Sequence, residues 1–306
     1  MDKQGYSCDM LILGAGPAGL TAAVYGSRAN LCVLVCEEKF SGGEIAATEQ
    51  LDNYPGFPEG INGMDFGRRL EQQALRFGAK IVSGSIVSAE LDGPWKKLVT
   101  TAGEYRARTV IIATGTQPRS LDVPGEDRLR GRGISYCATC DGPFFRGKKV
   151  AVVGGGDAAV EEALYLTRFA GSLLLVHRRD KLRAVPYLQE KLLSHPNVVV
   201  RLDTVVKEFA GEQKLEKIIV QNKRDDTTAE IPLDGAFLYV GRIPNSSFLH
   251  GVEMDANGYI ITNEEMETSV PGVFAAGDIR RKFLRQVVTA AADGAVAAVA
   301  ALRYLQ

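Results

Sequence analysis

Met10-Leu11-Ile12-Leu13-Gly14-Ala15-Gly16-Pro17-Ala18-Gly19 reads as a short apolar strand running into three spaced glycines, and the residues after it predict a helix to about Ala29. In a strand–turn–helix setting this spacing is a dinucleotide fingerprint. The first glycine makes the turn, the second admits a pyrophosphate, and the third packs helix on strand. Gly14, Gly16, Pro17, Ala18 and Gly19 would then form the cofactor turn, with the phosphates at the helix N-terminus. A second strand, Leu31 to Cys36, ends at Glu37-Glu38, where a carboxylate suits ribose hydroxyls. The plainer alternative is a glycine-rich turn beside solvated glutamates.

Working outward, a long loop carries Gly43, Asn53, Pro55 and Pro58, and loops of this kind in compact domains are usually functional or disordered. A helix is predicted over about Gly63 to Phe77, with Met64, Phe66, Leu70 and Leu75 as core candidates. Strands follow at Lys80 to Val87, Leu98 to Thr101, Glu104 to Ala107 and Thr109 to Ala113. Trp95 is read as packing beside a turn. The segment closes at Ala113-Thr114-Gly115 and Pro118.

The same pattern then begins again. Lys149 to Val153 is a strand, Gly154-Gly155-Gly156-Asp157-Ala158-Ala159 a second glycine turn, Val160 to Phe169 a helix and Ser172 to Val176 a strand. Further strands are predicted at Val198 to Arg201, Ile218 to Asn222 and Ala236 to Val240, ahead of Gly241 and Pro244. This divergent repeat implies two nucleotide sites, one passing electrons to the other. The second strand of the repeat ends in His177-Arg178-Arg179, with Arg183 beyond. Arginines there favour a 2′-phosphate, whereas an acid favours a free hydroxyl. Two charged hydrogen bonds at about 1.5–3 kcal/mol each would favour NADPH over NADH by roughly two orders of magnitude or more, before discounting for exposure. The plainer alternative is a solvated basic turn.

Between the repeats lies Cys137-Ala138-Thr139-Cys140-Asp141. Such a pair can close a disulfide that opens on accepting two electrons, with a carboxyl to manage the proton. A zinc half-site needs a second pair, but Cys8, Cys32 and Cys36 form no other C-x-x-C and only His177, His195 and His250 are available. An inert buried pair is the remaining alternative. Neither it nor a metal accounts for the repeat or for Asp141, so position decides for redox chemistry.

Beyond Pro244, Val273 to Ala276 leads into Gly277-Asp278, and Arg285-Gln286 opens a helix to about Tyr304. Asp278 suits a ribityl or ribose hydroxyl, and the helix N-terminus can stabilise a reduced isoalloxazine. A turn aspartate before a packing helix is the alternative. The C-terminal piece is expected to complete the first segment.

With 306 residues, two domains are expected. A formal charge of −1 argues against partners read by bulk electrostatics, such as nucleic acid or an anionic membrane. No run reaches about 18 apolar residues and Met1 to Cys8 has no basic leader, so neither a membrane span nor a signal peptide is expected. Five scattered cysteines do not form a secreted framework, and the cytoplasm is the default.

Taken together, Gly14 to Gly19, Asn53 to Phe57, Ala113 to Gly115, Cys137 to Gly142, Gly154 to Ala159, His177 to Arg183, Gly277-Asp278 and Arg285-Gln286 resemble low-molecular-weight, flavin-dependent thioredoxin reductases over nearly the whole chain. The resemblance implies an α/β fold of two Rossmann-like (three-layer β/β/α) domains, with an NADPH domain (119–244) inserted in a discontinuous FAD domain (1–118 and 245–306). It implies FAD on Gly14, Gly16, Pro17, Ala18, Gly19, Glu37, Glu38, Gly43, Asn53, Ala113, Thr114, Gly115, Gly277, Asp278, Arg285 and Gln286. It implies NADPH on Gly154, Gly156, Asp157, Ala158, His177, Arg178, Arg179 and Arg183. By the same resemblance Cys140 lies nearest the flavin, Cys137 attacks the disulfide of thioredoxin, Asp141 is the acid, and the enzyme is a homodimer whose small domain rotates. Where many relatives have Gly-Gly-Gln and a threonine run, this chain has Gly43-Glu44-Ile45-Ala46-Ala47-Thr48.

Overall fold

The structure is a computed structural model that describes residues 6–48 and 51–306. Residues 1–5, read above for a leader, lie outside them. The chain divides into two units, one running to Gln117 and resuming over Ile243–Gln306, the other spanning Pro118–Arg242.

In the first unit the order is β1 (Tyr6–Leu13), α1 (Pro17–Arg28), β2 (Val33–Glu37), α2 (Gly63–Arg76), β3 (Lys80–Ser83), β4 (Ile86–Glu90), β5 (Lys96–Thr100), β6 (Gly103–Ile112) and β7 (Thr116–Pro118). Its sheet runs β3-β2-β1-β6-β5-β4. The strands β3, β2, β1 and β6 are parallel, and β4 and β5 continue as an antiparallel meander. Strands covered on both faces read as unbroken apolar runs, and β1 shows why. Met10 and Ile12 join a core built with α1, while Leu11 and Leu13 join a core on the opposite face with Leu98 and Ile260.

The second unit contains α3 (Glu126–Leu129), β8 (Ile134–Ser135), α4 (Ala138–Asp141), β9 (Lys149–Gly154), α5 (Asp157–Leu166), β10 (Ser172–Val176), α6 (Pro186–Leu193) and β11 (Val198–Arg201). Then come β12 (Thr204–Ala210), β13 (Lys217–Asn222), β14 (Thr228–Pro232) and β15 (Gly235–Tyr239); β16 (Arg242–Pro244) follows, with Ile243 and Pro244 already in the first unit. The parallel sheet β11-β10-β9-β15-β8 is faced by the separate antiparallel sheet β12-β13-β14. Alternation along β9 sends Val150 and Val152 to α5 and α6, and Ala151 and Val153 to the meander. Each unit is therefore a helix layer, a parallel sheet and a β layer, the expected three-layer α/β build.

Back in the first unit, β17 (Val273–Ala275) adds to β6 in parallel and α7 (Val287–Leu305) closes the chain. By length and composition α7 is apolar enough to cross a membrane; one face of it packs Ala290, Ala297 and Ala301 into the same cluster as α1, while Val288, Val296 and Val299 are exposed.

Some local expectations change. Met64 and Leu75 are 54% and 47% exposed, because α2 turns Phe66 and Ala74 inward instead. Trp95 lies in the bend with Gly93 and Pro94 and is 51% exposed, so about half of its surface is covered there. The expected strand over Lys80 to Val87 divides at Gly84 into β3 and β4, whereas the two strands predicted over Glu104 to Ala113 are the single β6.

The contact between α1 and α7 relies on a missing side chain: a Cβ on Gly294 would lie 2.0 Å from the Ala18 carbonyl oxygen. Gly294→Ala should therefore force the helices apart at a cost of about 1–3 kcal/mol, read as a lower thermal midpoint. An unchanged midpoint would mean that α7 is not seated by this contact.

Candidate active site

The turn between β1 and α1 is closed by backbone. A Cβ on Gly14 would stand 2.5 Å from the Ala113 carbonyl oxygen, and one on Gly19 1.9 Å from that of Gly14. Gly16, by contrast, faces open space with nothing within 4 Å of its Cβ position. It is the N-cap of α1 with no side-chain cap, and Pro17 occupies the first turn. A phosphate can thus approach the helix N-terminus directly.

Other predicted residues of this unit converge here. Gly42 N–H donates to the Ala15 carbonyl at 2.8 Å, bringing Gly43 against Gly16. The carboxylate of Glu37 accepts from Ala15 N–H at 2.7 Å and from Lys39 N–H at 2.9 Å, so it braces the glycine turn. Glu38 accepts from the Ser85 hydroxyl at 2.9 Å, on the neighbouring strand end. Asn53 Nδ2 donates to Gln286 Oε1 at 3.0 Å across 233 residues of sequence. Arg285 lies over the Tyr259 ring at 4.1 Å, and its buried Nε has no hydrogen-bond partner among the described residues. Gly277 sits against Ala18 of α1 at a φ of 81°, placing Asp278 beside the same helix. The open face at Gly16 and the unpartnered donor of Arg285 fit a dinucleotide bearing a polar ring.

In the second unit Gly154 repeats the close approach, its Cβ position 2.6 Å from both the Ala159 Cβ and the Tyr239 carbonyl oxygen. Gly156 caps α5 without a side-chain cap, and the nearest atom to its Cβ position is a guanidinium nitrogen of Arg183, at 3.9 Å. The basic loop is tied to this turn. Arg183 N–H donates to the Gly155 carbonyl at 2.6 Å, and Val185 N–H to Asp157 Oδ1 at 2.8 Å. Ala158 lies in the first turn of α5. Arg178, Arg179 and Arg183 are exposed, whereas His177 is buried with its ring packed under Gly155. Burial, then the charge of Arg183, holds the His177 imidazole below its usual pKa and therefore neutral.

Cys137 and Cys140 form a disulfide with Cα atoms 5.3 Å apart. The first cysteine is the N-cap of α4 and half-buried, the second is exposed, and Cys140 N–H donates to Cys137 Sγ at 3.2 Å. Asp141 follows in the same turn, its N–H bonded to the Cys137 carbonyl at 3.1 Å. Ser135 Oγ accepts from Cys137 N–H at 3.0 Å, and the Tyr239 hydroxyl accepts from Ala138 N–H at 2.9 Å. Burial, then the charge of Glu162, raises Tyr239 so that it stays a neutral phenol. Glu162 is itself pushed up to about 7 by burial and then by Glu161. Burial likewise lifts the Cys8 and Cys36 thiols to about 12, which leaves them inert.

Four residues around these sites were not singled out from sequence. Ser135 and Tyr239 hold the cysteine turn. Asn245 pairs with Thr114 in both directions, at 2.9 and 2.8 Å, and donates from its backbone to Gly115 at 3.0 Å. Asp293 accepts from Gly277 N–H at 3.0 Å. Only Asn245, just after the repeated glycine–proline end, had a local signal.

Residues 8–294 match the family model described as pyridine nucleotide-disulphide oxidoreductase. The chain is 47% identical over 301 residues to the thioredoxin reductase of Bacillus subtilis, covering 97% of this chain and 95% of that one. It superposes on the crystal structure of Lactococcus lactis thioredoxin reductase with a TM-score of 0.95 at 40% identity, over 97% of this chain and 99% of that one. The thioredoxin reductase of T. acidophilum gives 0.93 at 32% identity, over 98% and 99%. Two glycine turns, a closed C-x-x-C and likeness along nearly the whole chain agree: the protein belongs to the pyridine nucleotide-disulphide oxidoreductase family.

Proposed function

We propose that the protein is an NADPH-dependent thioredoxin-disulfide reductase that works with FAD. The observation that carries this reading is the Cys137–Cys140 disulfide on the same unit as a nucleotide turn edged by Arg178, Arg179 and Arg183. Bound FAD supplies the two-electron relay between a nicotinamide and a disulfide. The first unit holds it at Gly14, Gly16, Pro17, Ala18, Gly19 and Gly43, with Ala113, Thr114 and Gly115 walling the turn. Glu37 and Glu38 serve its ribose side, and Asn53, Gly277, Asp278, Arg285 and Gln286 its ring side. In the second unit Gly154, Gly156, Asp157 and Ala158 hold the NADPH pyrophosphate. The three exposed arginines would hold the 2′-phosphate by charged hydrogen bonds, and neutral His177 packs against Gly155 of the turn.

Two electrons and two protons convert the Cys137–Cys140 disulfide to a dithiol. Cys137, as thiolate, then attacks the thioredoxin disulfide, and the bond between the two thioredoxin sulfurs breaks. Cys140 displaces thioredoxin from the mixed disulfide, closing the ring again and releasing a thioredoxin dithiol. The N–H of Cys140, already 3.2 Å from Cys137 Sγ, favours the thiolate on that sulfur. Asp141 protonates the departing thiolate. The enzyme is further inferred to be a cytoplasmic homodimer with thioredoxin as its protein substrate and no nucleic-acid or membrane partner.

Cys137→Ser and Cys140→Ser should each abolish reduction of thioredoxin by NADPH, while anaerobic bleaching of the flavin by NADPH persists. Loss of bleaching with flavin still bound would overturn this electron path. Arg178→Ala combined with Arg179→Ala should raise the KM for NADPH about tenfold or more and leave that for NADH nearly unchanged. Equal losses with both donors would make these arginines structural.

A further inference from the structure

One buried charge cluster has no part in the chemistry above. Asp293, on the buried face of α7, accepts from Arg280 Nη1 at 3.1 Å, Lys282 Nζ at 2.6 Å and Gly277 N–H at 3.0 Å. All three charged side chains are 14% exposed or less. The Nε of Arg280 also donates to Thr262 Oγ1 at 2.9 Å. Charges are seldom buried for stability alone, because desolvation offsets much of their attraction. Here one carboxylate joins two cations to a single backbone amide, and that amide opens the Gly277-Asp278 turn.

We propose that Asp293 is a positioning residue that sets the Gly277-Asp278 turn for the flavin, an inference that rests on the cofactor reading above. The turn is confined from two sides. Gly277, at a φ of 81°, lies so close to the first turn of α1 that a Cβ on it would stand 2.9 Å from the Ala18 Cβ, so the turn packs on that helix with no side chain between. On the other side the Asp293 carboxylate draws its N–H toward α7, and Arg280 and Lys282 fix that carboxylate in one rotamer. Asp278, next in the chain, is thereby aimed relative to both α1 and the N-terminus of α7. A hydrogen bond to a charged acceptor is stronger and shorter than a neutral one and tolerates less drift.

The test is a titration of flavin-stripped, full-length protein with FAD, followed by flavin fluorescence, alongside thermal unfolding. In Asp293→Leu combined with Lys282→Met the cluster keeps its wild-type net charge while Gly277 N–H loses its acceptor. This variant should bind FAD at least about tenfold more weakly, the equivalent of one lost charged hydrogen bond, while still unfolding in one cooperative thermal transition. Asp293→Asn, which retains a neutral acceptor, should show a smaller loss and keeps the question open to experiment if the double variant does not fold. Either folded variant binding FAD as wild type does would overturn the role of Asp293. Wild-type protein that takes up no FAD would instead overturn the cofactor reading itself.

Discussion

Backbone pressed against backbone, with no side chain between, is the constraint on which the rest of the molecule depends. At the end of β1 the Gly19 Cβ position lies 1.9 Å from one carbonyl oxygen and that of Gly14 lies 2.5 Å from another. Strand, helix and the end of β6 therefore meet at van der Waals distance only because these residues are glycine. The consequence reaches beyond packing. With helix and strand this close, the N-terminus of α1 stands at the sheet edge, and Gly16 leaves it open to a phosphate. The second unit solves the same problem with one exchange: Ala159 replaces the third glycine because its methyl fills the space that Gly154 leaves bare.

The two units share a turn and differ in the charges around it. Glu37 gives one carboxylate oxygen to the first turn, at Ala15 N–H, and the other to Lys39 N–H just beyond β2. In the second, the Asp157 carboxylate and the Gly155 carbonyl accept from backbone amides of the basic loop instead, leaving its arginines at the surface. One scaffold thus carries an acidic edge at its first glycine turn and a basic edge at its second. Between the repeats in sequence lies a cysteine turn whose backbone is held by Ser135 and Tyr239, so the opening of its ring is confined to a single helical turn.

Much of this was legible in the order of residues, for reasons that can be named. The strands β1, β2, β9 and β10 read clearly because both faces are buried, which demands unbroken apolar runs. The glycine turns read clearly because their geometry admits few other residues. Legibility failed where burial is one-sided. Strand β14 alternates exposed and partly buried residues, so nothing apolar marks it. In α2 the apolar residues Met64 and Leu75 misled because neither lies on the face that Phe66 and Ala74 turn to the core. His177 was read with its arginine neighbours, but only the fold shows it tucked beneath Gly155.

By itself the sequence determined the two α/β units, the two nucleotide turns with opposite charge preferences, and the redox cysteine pair. Each is encoded in adjacent residues, whose sterics and periodicity act locally. Tertiary structure alone decided which distant residues serve those motifs. It bonded Asn53 to Gln286 and Asn245 to Thr114, set Tyr239 under the cysteine turn, and buried Asp293 on Gly277. A polar side chain carries no local sign of its eventual partner. Only when the fold removes both from water does leaving either unpaired become costly enough to fix the pairing.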